Sequence, residues 1–211
     1  MSTLSRMLVA AACLAVTPQV SAQSVDLSII GNILPGACTA TLGGGGVIDL
    51  GTVLAEKLDP VEETSLGSVR VPMTVVCQVP VRFAFKGIDN TGDSASAATR
   101  YGLGLSPAGE KIGGAVISFK EPTADGIPLH YTRSEDGGQT WEVSSNEGFT
   151  WLGKASINGF SITPGEMTGP APIASLQTDL EVRTYIQPTS ALTLEGDVPI
   201  NGSATIDLIY L

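Results

Sequence analysis

The sequence predicts an all-β fold, a sandwich or barrel of short strands, and three observations carry that prediction. Helical periodicity is scarce beyond the N-terminal apolar segment, while runs with an apolar residue at every second position recur along the chain. Such alternation marks a strand with one buried face. Clusters of turn residues separate the runs, and the 25 glycines and 13 prolines of the chain supply many of them.

Taken in order, the chain opens on Arg6, an apolar run from Met7 to Val16, and the small residues of Val20-Ser21-Ala22. This is the anatomy of a secretory signal peptide over residues 1–22, with cleavage after Ala22. As a membrane span the run is too short, since a spanning helix takes roughly 20 apolar residues. Cys13 loosely fits a lipoprotein cleavage site, but Ala10 stands three before it in place of a larger aliphatic residue. The ordinary secretory reading therefore stands, and the mature chain is expected outside the cytoplasm.

Residues 23–34 form the first alternating segment, with Val25, Leu27, Ile29, Gly31 and Ile33 on one face. Residues 35–211 are expected to be one β-domain. Within it, strand-like runs cover Val47 to Leu50, Val69 to Val76, Val81 to Lys86, Gly102 to Ser106 and Ala115 to Lys120. They continue at Gly153 to Ile162, Gln177 to Ile186, Ala191 to Leu194 and Gly202 to Tyr210. Turn signals at Gly43 to Gly46, Asp89 to Gly92, Asp136 to Gly138 and Thr163 to Gly165 divide them. Pro72 cannot donate to a ladder and is expected at the start or edge of the strand leading to Cys77.

Charge and cysteine content narrow the function classes. The net charge is −10, and loss of the leader with Arg6 leaves 10 basic against 21 acidic residues, or −11. No basic patch for nucleic acid or an anionic membrane can be assembled from that. Once Cys13 leaves with the leader, Cys38 and Cys77 remain, and two thiols in an oxidising compartment are expected to form one disulfide. With His130 the only histidine and no close cysteine pair, no metal site or other cofactor is expected.

Several of these features together resemble the subunits of chaperone-usher pili, and more narrowly a fimbrial-like group of the beta-fimbria type. Gly31 lies in the alternating N-terminal segment, Cys38 follows Pro35-Gly36-Ala37, a second cysteine comes at Cys77, and the chain closes on Gly202 to Tyr210 with tyrosine next to last. Tyr101-Gly-Leu-Gly-Leu-Ser and Lys111-Ile-Gly match the narrower group. The resemblance implies an incomplete immunoglobulin-like β-sandwich that is completed by a donor strand from another molecule. It makes Val25, Leu27, Ile29, Gly31 and Ile33 the donor side chains and places Ala204, Ile206, Leu208 and Tyr210 along the acceptor groove. It further implies a periplasmic chaperone, an outer-membrane usher and other pilin subunits as partners, with the fimbrium on the bacterial surface as the destination.

Two rival readings come from other classes. Ser134, Asp136, Gly138, Thr140 and Trp141 match the Asp-box pattern familiar from sialidase propellers, which is a hairpin turn held by local side-chain hydrogen bonds. It occurs once, where a propeller needs repeated blades. Glu135, Asp136, Glu142 and Glu147 could be imagined as a glycosidase pair, but no geometry supports one and no nucleophile elbow is present, so no catalytic residue is expected. Trp141, Trp151, Tyr101 and Tyr131 offer aromatic surface to a host glycan or protein receptor, which makes a carbohydrate-binding adhesin or tip subunit the alternative.

Overall fold

The structure, a computed structural model, describes residues 37–144 and 148–211. The leader, the segment carrying Val25, Leu27, Ile29, Gly31 and Ile33, and the acidic Glu147 lie outside the described residues.

Among the described residues, twelve strands make two antiparallel sheets packed face to face: β1 (Cys38–Leu42), β2 (Thr64–Val81), β3 (Phe83–Asp89), β4 (Tyr101–Gly102), β5 (Gly113–Ala124), β6 (Ile127–Pro128), β7 (His130–Ser134), β8 (Glu142–Val143), β9 (Phe149–Trp151), β10 (Ile157–Ser161), β11 (Ile173–Ile186) and β12 (Ala204–Tyr210). The larger sheet runs β1-β2-β11-β5-β4, with β6 and β9 also pairing with β5. The smaller sheet runs β12-β3-β10-β7-β8. The all-β sandwich expected from the alternation is therefore present.

Cross-sheet aromatic packing fixes the layers. Phe119 of β5 faces Phe85 of β3 and Phe160 of β10 at ring-centroid distances of 5.1 and 5.4 Å, and Phe85 lies 6.0 Å from Phe160. All three are fully buried. Offset and edge-on rings at these separations gain more than their area burial alone.

Pro72 corrects the expectation about where its strand begins. β2 passes straight through it, pairing Pro72 with Asp179 of β11, while the β1 ladder stops one residue earlier at Leu42 opposite Met73. The missing N–H thus sits beside the point where β1 turns away at Gly43, so the proline is tolerated inside a long strand at the end of its neighbour. The chain then crosses between sheets at Arg82, whose guanidinium donates to the Pro170 carbonyl at 2.7 Å.

Two runs read as strands are not strands. Val47 to Leu50 has no ladder, and Ala191 to Leu194 is mostly irregular after a short 3-10 turn at Thr189–Ala191. Gly102 to Ser106 is reduced to the end of β4 and an isolated bridge between Leu105 and Lys111.

The disulfide joins Cys38 and Cys77, which face each other in the β1–β2 register. Three of the five β1 residues are exposed. Little apolar burial therefore holds this strand, and the covalent link does much of that work.

Candidate groove along the C-terminal strand

β12 alternates because one of its faces is turned inward: Ile206 and Leu208 are half-buried while Thr205 and Asp207 are exposed. It pairs with β3 from Ala204 opposite Asp89 to Tyr210 opposite Phe83, and among the described residues its other edge has no ladder partner. Beside that edge runs a groove of about 780 Å³. Its floor is the inner face of the larger sheet, with Val71 of β2, Leu180 and Val182 of β11 and Ile117 of β5. One rim is β12 and the segment before it; the other is Leu42 of β1 and the stretch that follows.

The two apolar runs misread as strands belong to these rims. Ile48 and Leu50 lie on the β1 side, and Leu192 and Leu194 lie among the lining as well. Their apolar character serves the groove rather than a ladder.

Of the residues expected at the groove, Ala204 and Ile206 line it. Leu208 does not line it, though like Ile206 it packs half-buried against the main core. Tyr210 stands at one end of the groove side, where its phenol oxygen accepts a hydrogen bond from the Cys38 N–H at 2.9 Å. That contact ties β12 to β1, the two rim strands.

Sequence reasoning did not single out Tyr101 as part of the groove. It is buried in the wall and donates through its hydroxyl to the Leu152 carbonyl at 2.7 Å. Burial, with the nearby Asp89 charge adding to it, raises its phenol well above the ordinary range. Gly87 of β3 makes room for it, since a Cβ there would lie 1.6 Å from the Tyr101 hydroxyl oxygen. No side chain fits that position.

Asp89 anchors the same wall. Its carboxylate accepts from the Thr91 hydroxyl at 2.7 Å, the Thr91 N–H at 3.1 Å and the Gly102 N–H at 2.9 Å, and Lys154 approaches to 3.5 Å. Burial alone would raise its pKa, but these donors and the ammonium outweigh it, and the net shift is downward from 3.8. Asp136 in the hairpin is lowered too, by hydrogen bonds from the Thr140 hydroxyl and N–H and from Ser134. A carboxylate with a depressed folded pKa adds stability above its unfolded value, and loses it as pH falls through the folded one. Acid titration should therefore show a stability loss that starts near pH 4 and deepens below it, followed by tryptophan fluorescence. Asp89→Asn, which cannot carry the charge, should shrink that loss, and an unchanged acid profile would count against the anchor.

The Asp-box residues form a self-contained hairpin. Ser134 donates to Asp136 at 2.7 Å and accepts from the Gly138 N–H at 2.8 Å, Thr140 donates to Asp136 at 2.6 Å, and the Trp141 indole donates to the Gly138 carbonyl at 3.1 Å. Gly138 at φ +97° turns the chain where other residues are strained. Asp136 is thus fully engaged by its own loop, and Glu135 pairs with Arg133.

The four aromatic residues considered as one platform are dispersed. Tyr101 is buried, Tyr131 packs on Phe160 and donates to the Gly148 carbonyl, and Trp141 belongs to the hairpin. Trp151 alone of the four is more than half exposed, at 54%.

Comparison with known proteins adds two findings. Residues 27–100 match the model of a family described as a protein of unknown function, DUF1120. The chain is also 27% identical over 224 residues to Protein GltF of Escherichia coli (strain K12), an alignment covering 88% of each chain.

Proposed function

We propose that this chain is a non-enzymatic structural subunit of a bacterial surface fibre, joined to its neighbours by strand exchange. One observation carries the reading: an apolar groove lies along β12, and the outer edge of β12 has no ladder partner among the described residues. An apolar edge beside an apolar groove invites an added strand. The sheet orders fit an immunoglobulin-like sandwich that lacks its last strand, with β12 at the edge where that strand would add. The alternating side chains Val25, Leu27, Ile29, Gly31 and Ile33 match such an occupant, offered by the next subunit in the fibre. A periplasmic chaperone would hold the groove until an outer-membrane usher passes the subunit on to the cell surface.

The test uses the secreted chain lacking residues 23–34, which can accept a strand but not give one. A synthetic peptide of residues 23–34 should bind it one to one and raise its thermal midpoint. Ile206→Asp, which puts a charge on the groove rim, should abolish capture. If the intact chain stays monomeric at every concentration and never exchanges with labelled peptide, the fibre reading is wrong and the segment completes its own fold. Absence of any peptide binding would remove the groove as a strand acceptor.

A further inference from the structure

A second cavity, of about 350 Å³, lies between the two sheets toward β8 and β9, away from the β1 and β12 rims. Arg133 of β7, Glu142 and Val143 of β8, Trp151 of β9 and Asn158 of β10 line it. Two of these carry unmet donors: the Arg133 Nε–H and the Asn158 amide nitrogen are buried with no hydrogen-bond partner among the described residues. Asn158 is only 1% exposed, and its amide oxygen already accepts from the Thr150 hydroxyl at 3.2 Å. Buried donors without partners are rare and costly, so such a pair marks a place where something else supplies oxygen acceptors.

We propose that this cavity binds a neutral saccharide, a single pyranose ring or the end of a longer glycan. The volume stands at the lower end of the range for small-molecule sites and is many times that of one water. The exposed Trp151 indole, packed 6.1 Å from the Phe149 ring, provides an apolar face on which the ring carbons of a sugar lie. Sugar hydroxyls accept from Arg133 and Asn158 and donate to the Glu142 carboxylate.

Charge selects a neutral ligand over an acidic one. The Arg133 guanidinium is already paired with Glu135, Lys154 is held by Asp89 and the Arg100 carbonyl, and Glu142 adds negative charge to the lining. A ligand carboxylate would meet a spent cation and the Glu142 carboxylate, in a chain of net charge −10. The inference stands independently of strand exchange, because it uses neither β12 nor the segment 23–34.

The experiment follows the Trp151 indole, Arg133 Nε–H and Asn158 side-chain resonances of the isotope-labelled secreted chain. The probes are the methyl pyranosides of glucose, galactose and mannose, with galacturonate and N-acetylneuraminate as charged comparisons. At least one neutral pyranoside should shift all three signals saturably, and both acids should bind more weakly. Trp151→Ala should weaken binding about tenfold. Glu142→Ala, at an exposed position, should weaken it by about three- to tenfold and serves if the tryptophan variant fails to fold. The proposal is overturned if no neutral pyranoside moves these signals at about 100-fold the concentration of a typical millimolar sugar ligand, if the acids bind more tightly, or if the folded variants bind like the parent.

Discussion

Replacing Cys38 and Cys77 together by alanine lowers the stability of the folded chain by about 3 to 4 kcal/mol, the loop-closure value for a bridge across some 40 residues. The two cysteines are 39 positions apart in sequence and face each other in the β1–β2 ladder. For a domain of this size the thermal midpoint should fall by about 10 °C. Urea denaturation measures the change directly, and an unmoved midpoint would sink the argument. Because β1 is mostly exposed, its release should come first. Hydrogen exchange of Thr39 to Leu42 should then quicken well before that of β11, whose ladders run on both sides.

Phe119→Ala should cost about 3 to 5 kcal/mol, the usual loss for a fully buried phenylalanine. Phe119 is 0% exposed and is the ring through which the larger sheet meets Phe85 and Phe160 of the smaller one. Its removal strips contacts from both sheets at once, and the surrounding strands are too closely tied to collapse into the space. Phe119→Leu should recover more than half of the loss. Equal destabilisation by the two variants would show that ring geometry, rather than volume, is what the site requires.

How far the fold was legible depends on how each segment uses its apolar residues. β12 stands out in the sequence because Ile206 and Leu208 alternate with the exposed Thr205 and Asp207, and β3 because Phe83 and Phe85 fall two residues apart in an apolar run. β8 and β9 were missed because Glu142–Val143 and Phe149–Trp151 are too short to show any period. Ile48 and Leu194 misled because a groove rim asks for apolar residues without asking for a ladder. The groove floor draws Val71, Ile117 and Leu180 from three distant strands, a juxtaposition that exists only after pairing. The second cavity left no local trace at all: Arg133 and Asn158 meet because β7 pairs with β10 in the register that puts one opposite the other.

The order of the larger sheet also governs how this chain must reach its fold. β2 lies between β1 and β11, and Val75 pairs with Leu176, Thr64 with Ile186. Nearly everything between those strands must exist before the centre of the sheet can close. Until then Val71, Met73 and Val75, all buried in the finished sandwich, have no lasting cover. Non-local ladders of this kind place folding in the millisecond-to-second range rather than the microsecond range. A newly made chain therefore spends a measurable interval with its most adhesive strand open to other molecules, and the speed of that closure sets how much of it escapes aggregation.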